Sequence, residues 1–296
     1  MRCFSLLFIF ALSLAALSGP SSAQQPMPIN SVANLCAHVP AGGGSIDSVT
    51  MTQTTAVGVQ NRYYCVWQPS TYSPAGDNKL VVVLHGGNGN AVSLAGKGLQ
   101  TQGELRGYLI AFAHGWPHAG CATDLCTVNK WDGIRDVGGV DLDLTEVNRA
   151  YIAQLVDAAI GDYNVNPDEI YLAGFSGGAK MIYRLVAGDT LQLTHPFEIG
   201  AIATMAGSIL SVDIPAMGGQ GIGTTVHVPD GARPVASLLM QGLQDPKMAF
   251  YGGFNEAQSR SDSSFQTKID MFRGLNEAFG AGQAQPQQWV LPLGGQ

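Results

Sequence analysis

Charge is scarce in this chain. Only 12% of its 296 residues are charged, and 15 basic residues against 22 acidic ones leave a net charge of −7. No basic run stands anywhere, which argues against nucleic acid and against an anionic membrane surface as partners. Long apolar runs are missing too: after residue 23 no segment is long and apolar enough to span a bilayer. Cysteine is sparse, with five in all, and no CxxC pair or histidine cluster accompanies them, so no metal-ligand pattern is offered. No internal repeat is present. Histidine occupies six positions, and none of them follows Asp245. That last absence bears on the chemistry.

The amino terminus has one clear signal. Arg2 gives a positive start, Phe4 to Leu17 is an apolar run, and Ser21-Ser22-Ala23 fits a small-x-small cleavage site. Residues 1–23 read as a secretory signal peptide, and residues 24–296 as a single domain of a secreted or periplasmic protein. Export makes the cysteines meaningful. Cys3 leaves with the signal, and Cys36, Cys65, Cys121 and Cys126 remain, an even number that suggests two disulfides. Three pairings exist. Cys36–Cys65 with Cys121–Cys126 is favoured, because the second pair closes a short loop.

The rest of the chain is organised around Glu169 to Met181 (EIYLAGFSGGAKM). A β-like run meets G-x-S-x-G, and a helix-like run follows through Ala187. Strand, sharp turn and helix in that order hold a serine in a strained conformation, and Gly174 and Gly178 leave the room it needs. Ser176 would then be exposed at the carboxyl edge of a parallel sheet as a nucleophile. Earlier, Lys79 to Leu84 (KLVVVL) reads as a strand buried on both faces, followed by His85-Gly86-Gly87-Asn88-Gly89-Asn90. A glycine-rich turn there brings backbone N–H groups close to a substrate oxygen. Gly86 and Gly177 are the expected oxyanion donors, with His85 a brace for the loop rather than a base.

Tyr108 to Ala113 reads as another buried strand, and Val59 to Trp67 as an edge strand. In the loop from His114 to Trp131, Trp116 and Trp131 serve either as a substrate wall or as cover for the core. Leu144 to Asp162 is the clearest helix, with Leu144, Val147, Tyr151, Leu155 and Ala158 on one face. Asp143 and Glu146 form a capping-box pattern, and with Asp141 they are explained as cap and first-turn charges rather than a metal site. Residues 198–205 and 234–240 read as strands, with a Gly/Pro-rich loop at 211–231 between them. Asp245 follows the second, where the acid of a Ser…Asp…His order would lie. Phe265, Ile269, Phe272, Leu275 and Phe279 mark a further helix, and residues 288–293 a last strand. The alternation predicts one α/β domain with a mostly parallel sheet and helices on both faces.

Four stretches resemble the secreted polyhydroxybutyrate depolymerase and feruloyl-esterase-like family of α/β-hydrolases. They are Leu80 to Asn90, Tyr163 to Leu185, Gln241 to Gly253, and Arg62 to Pro69, and the likeness runs over residues 59–293. The resemblance implies the α/β-hydrolase fold, Ser176 as nucleophile, Asp245 as acid, and Gly86 and Gly177 near the oxyanion. It implies a polymer or polysaccharide ester as substrate and no cofactor. Gly177 stands where the family has Asn, Gln241 where it has His, and Phe250 where it has Tyr. The helix at Leu144 lacks the family's paired Asp.

A serine hydroxyl needs an imidazole to take its proton. In the family that histidine follows the last strand. Here the histidines are His38, His85, His114, His118, His195 and His227. Three expectations stand side by side. The chain is truncated or lacks the usual His loop, an earlier histidine such as His195 or His227 substitutes, or the protein binds a polymer without catalysis.

Overall fold

Two runs without a polar face, LVVVL and YLIAFA, must be covered on both sides, and they become neighbouring central strands. The strands are β1 (Ser45–Thr55), β2 (Gly58–Gln68), β3 (Asn78–Leu84), β4 (Tyr108–Ala113), β5 (Trp116–Pro117), β6 (Asn129–Lys130), β7 (Ile134–Val137), β8 (Val140–Asp143), β9 (Val165–Phe175), β10 (Ile199–Met205), β11 (Ala236–Met240), β12 (Gly253–Asn255) and β13 (Arg260–Asp262). The helices are α1 (Val32–Cys36), α2 (Leu99–Arg106), α3 (Leu144–Tyr163) and α4 (Gly177–Ala187). This computed structural model describes residues 32–117, 129–131, 134–137, 139–187, 198–207, 235–243, 245, 251, 253–255, 260–262, 266, 268–270 and 272. The signal segment 1–23, the Cys121 and Cys126 pair, the loop at 211–231 and the strand expected at 288–293 lie outside the described residues.

Seven strands form one sheet in the order β1-β2-β4-β3-β9-β10-β11. β1 and β2 are antiparallel to their neighbours, and every pairing from β4 onward is parallel. Alternation along β3 divides the core. Leu80, Val82 and Leu84 join Tyr151, Leu155 and Val156 of α3 and Met181, Ile182 and Leu185 of α4 in one apolar cluster. Val83 joins Leu35 of α1, Leu99 of α2, and Ile110 and Phe112 of β4 in another. With both faces covered and the serine turn between β9 and α4, this is the α/β-hydrolase fold. No helix among the described residues is long and apolar enough to cross a membrane.

α3 begins where its sequence says it should. The Asp143 carboxylate accepts from the Thr145 N–H at 2.8 Å, which satisfies one orphan donor of the first turn. Glu146 does not close the box; it pairs with Arg149 one turn on. Asn164, at φ +49°, ends the helix.

One strand assignment needs correction. The segment 59–67 is not an edge. β2 is flanked by β4 on one side and by β1 on the other, eleven residues in continuous register from Ser45 opposite Gln68 to Thr55 opposite Gly58. β1 (SIDSVTMTQTT) escapes pattern reading because it is the true edge. Most of its residues are solvent-facing or half-buried, so its Ser, Thr and Gln carry no apolar run for periodicity to detect.

Cys36 and Cys65 form the expected disulfide, with Cα atoms 5.4 Å apart, and it ties α1 to β2. The bridge spans 29 residues of sequence, so by loop-closure entropy it contributes roughly 3–4 kcal/mol. Cys36→Ser is therefore expected to lower stability in urea unfolding by about 3 kcal/mol and to raise the m-value, because the unfolded chain without the bridge expands further.

Candidate active site

The serine turn is held by glycines that nothing else could replace. Ser176 sits at φ +52°, a left-handed conformation that costs a non-glycine residue roughly 1–3 kcal/mol. Two backbone hydrogen bonds keep it there. Its N–H donates to the Met205 carbonyl at 2.8 Å, and its carbonyl accepts from the Lys180 N–H at 3.1 Å as α4 begins. A Cβ on Gly174 would lie 2.7 Å from both the Gly178 carbonyl carbon and Ile182 Cδ1, and one on Gly178 would overlap the Leu84 carbonyl. The turn is thus wedged between the end of β3 and the first turn of α4. Ser176 remains half-buried, and its hydroxyl has no hydrogen-bond partner among the described residues.

The loop after β3 runs along this turn. A Cβ on Gly86 would lie 2.9 Å from the Phe175 ring and 3.5 Å from Ser176 Cβ, and one on Gly177 would lie 2.9 Å from Gly87 N. Among the described residues nothing accepts from the backbone N–H of Gly86, Gly87 or Gly177. Backbone N–H groups without a described acceptor, next to a strained serine, are the kind of group an oxyanion site is built from. Gly87 was not singled out from the sequence. The adjacent glycines of HGGNGN were its signal.

His85 anchors the loop from below. Its Nδ1 lies 2.7 Å from the Gly86 carbonyl, which can only accept, so Nδ1 carries the proton. Nε2 then accepts from the Gly115 N–H at 3.0 Å. Burial pushes the imidazole down to about 4, against the smaller upward pull of the Gly86 hydrogen bond. With both nitrogens committed and the ring neutral, His85 braces the loop and leaves no nitrogen for a proton-transfer role. Further bonds stitch the loop to β6. Asn88 N–H donates to the Asn129 carbonyl at 2.9 Å, and Asn129 donates back to the Gly89 carbonyl from its backbone at 3.0 Å and from its side chain at 2.9 Å.

Trp131 lies under this loop, 1% exposed. Its indole N–H donates to the His85 carbonyl at 2.7 Å, and its ring lies 4.7 Å from the imidazole. Trp116 is also buried, with the Arg62 guanidinium 5.3 Å from its ring. Their observed contacts are with the protein beneath the site. Arg62 is the centre of that support. It donates to Gln53 Oε1 at 2.7 Å, Asn148 Oδ1 at 2.6 Å and the His114 carbonyl at 3.3 Å, and it lies 3.9 Å from the Tyr151 ring. Burial lowers its pKa to about 10, so it stays charged at neutral pH. No carboxylate among the described residues pairs with it. Asn148 in turn donates to the Lys130 and Trp131 carbonyls, which links the buried cation to the floor of the loop. His114 is buried as well, and burial, His85 and Arg62 together hold its pKa well below the usual histidine range.

The acid candidate lies on the same edge. Phe175, Met205 and Met240 are in register at the carboxyl ends of β9, β10 and β11. The Ala206 N–H donates to the Met240 carbonyl at 3.0 Å, so the chain leaving β10 is fastened to β11 just beyond the Met205 contact to Ser176. Asp245 follows β11. Its N–H donates to the Gly242 carbonyl, and its Oδ2 accepts from Gln241 Nε2 at 3.4 Å. His38 is exposed near α1, and His118, His195 and His227 lie outside the described residues.

No family model matches the chain. It is 28% identical over 212 residues to "Putative esterase NocK" of Nocardia uniformis subsp. tsuyamanensis, over 70% of this chain and 52% of that protein. The chain thus spans about half the length of that relative. Among solved structures, esterase 2 of Thermogutta terrifontis phosphorylated by paraoxon is 14% identical, covers 81% of this chain and 80% of its own, and gives a TM-score of 0.48. A CE1 ferulic acid esterase of Anaeromyces mucronatus is 14% identical over 80% of each chain at 0.47. An acetyl xylan esterase of Aspergillus awamori is 21% identical over 56% of this chain and 53% of its own at 0.40.

Two outcomes follow from the geometry. Gly177→Ala would push Gly87 N–H off the serine turn, and the rate of any acyl transfer at Ser176 should fall on the order of a hundredfold, read as kcat/KM on a p-nitrophenyl ester. Second, His85 titrates near 6.5 unfolded and near 4 folded, so between those values the unfolded chain binds a proton that the fold refuses. Stability should therefore fall as pH drops from about 6.5 toward about 4, and His85→Gln should reduce that slope in thermal melts across the window, leaving the part that buried His114 contributes.

Proposed function

We propose that the protein is a secreted serine carboxylic ester hydrolase acting on a polymeric or polymer-linked ester. The observation that carries this reading is the left-handed Ser176 packed against the Gly86–Gly87 segment, with no acceptor among the described residues for the N–H groups of Gly86, Gly87 and Gly177. Ser176 Oγ attacks the ester carbonyl as its proton passes to an imidazole. The carbonyl oxygen takes the negative charge and is held by those N–H groups. The alcohol leaves with the proton, and water then releases the acid by the same route in reverse.

Asp245 is the acid that orients the imidazole. The base is not His85, whose nitrogens are both engaged. His195 and His227 are the candidates within this chain, and the family resemblance puts the base in a loop after the last strand. The substrate is an ester too large to enter a cell. A polyhydroxybutyrate-type polyester is the first candidate, and a feruloyl or acetyl ester on plant polysaccharide the second. Localisation outside the cytoplasm accords with the Cys36–Cys65 disulfide.

The test is hydrolysis of p-nitrophenyl butyrate by wild type and Ser176→Ala. Wild type should turn the ester over, and the variant should lose about a thousandfold or more in kcat. Equal background rates for both would leave a polymer-binding protein without catalysis as the reading. Release of 3-hydroxybutyrate from polyester films, compared with ferulate from methyl ferulate and acetate from acetylated xylan, then separates the substrates.

A further inference from the structure

Asn148 stands on α3 with its side chain fully buried, between a cation and two carbonyls. The Arg62 guanidinium donates to its Oδ1 at 2.6 Å. Its Nδ2 donates to the Lys130 carbonyl at 3.2 Å and to the Trp131 carbonyl at 3.0 Å. A guanidinium only donates and carbonyls only accept, so the amide has one orientation. Those carbonyls belong to the segment 129–131, which grips the glycine-rich loop at both ends. Trp131 donates to the His85 carbonyl at 2.7 Å. The Asn129 carbonyl accepts from the Asn88 N–H at 2.9 Å, and the Asn129 N–H donates to the Gly89 carbonyl at 3.0 Å. Position 148 therefore meets two opposed demands. A buried cation is ordinarily paired with a carboxylate, and an aspartate here would reach Arg62. Its oxygens would also face two carbonyl oxygens and repel the segment that holds the loop.

We propose that Asn148 is a positioning residue, forgoing an ion pair with Arg62 so that its amide protons fix the segment 129–131 and, through it, the Gly86–Gly87 stretch beside Ser176. The inference rests on acyl transfer at Ser176 being the function. The two halves of the amide then have separate effects. The oxygen stabilises a buried charge, and the nitrogen sets the position of the loop.

The test compares Asn148→Asp, which keeps an acceptor for Arg62 and loses both donors, with Asn148→Ala, which keeps neither. Asn148→Asp should melt above Asn148→Ala, because removing the partner of a buried charge is costly. Both should nonetheless lose kcat on p-nitrophenyl butyrate to the same extent, on the order of tenfold to a hundredfold, as expected of a small misplacement remote from the reacting atoms, with KM unchanged. Independently of turnover, the Trp131 indole N–H, assigned by its loss in Trp131→Phe, should exchange with solvent at least about tenfold faster in both variants. Trp131→Phe breaks the last link alone and should lower kcat by a similar factor, again at unchanged KM.

Wild-type kcat or wild-type indole exchange in Asn148→Asp would overturn the proposal. So would a kcat that follows the melting temperature, higher in Asn148→Asp than in Asn148→Ala, which is the mark of a merely structural side chain. Equal melting of the two variants would overturn the role given to the amide oxygen. If neither variant folds, Trp131→Phe decides, and full kcat in it overturns the relay. If the wild type itself turns over no ester, the esterase reading fails, while the indole exchange still reports whether Asn148 holds the segment.

Discussion

The site depends on one close approach of two backbones. The turn carrying Ser176 and the loop leaving β3 pass so near one another that side chains are excluded on both. A Cβ at Gly178 would overlap the Leu84 carbonyl, one at Gly177 would crowd Gly87, and one at Gly86 would crowd Phe175. The approach sets the Gly86–Gly87 segment against the strained Ser176 turn, and the N–H groups of Gly86, Gly87 and Gly177, which have no acceptor among the described residues, belong to that same contact.

That contact is rigid only because its underside is built. The loop hangs on His85, which is pinned through both ring nitrogens, and on Trp131, which holds the His85 carbonyl. Trp131 is held in turn by Asn148, and Asn148 by the buried Arg62. A guanidinium placed among amides, carbonyls and aromatic faces keeps its charge with no carboxylate partner among the described residues, since three hydrogen bonds and two ring faces replace its hydration. β1 contributes through Gln53. An edge strand without a core signature thus reaches the site by a single polar side chain.

The sequence made the centre legible and the margins obscure, for physical reasons. β3, β4 and β9 are buried on both faces, so their apolar runs are continuous, and the serine turn needs glycines at fixed offsets that a reader can find. α3 declares itself through its period and its Asp143 cap. β1 was missed because its half-solvated Ser/Thr/Gln pattern suits an edge and little else. Gly87 was passed over beside Gly86 because spacing does not tell which of two adjacent glycines faces the neighbouring turn. The part played by Trp131 was undecidable from composition, since an indole in a loop serves a wall or a core equally well until its N–H finds a partner. Lys268 gave no signal at all: a lysine in a helix-like stretch reads as solvated, whereas here it is buried and donates to the Gly207 carbonyl and to Gln241 Oε1.

Ser176 is the point on which these supports converge, and under the proposed function its reactivity is what they raise. The most direct measurement is covalent labelling by a fluorophosphonate, with the adduct located by peptide mass spectrometry. The account predicts one adduct, on the peptide carrying Ser176. Recovery of that peptide unmodified from folded protein after prolonged excess reagent would contradict it, leaving a strained turn without an activated nucleophile.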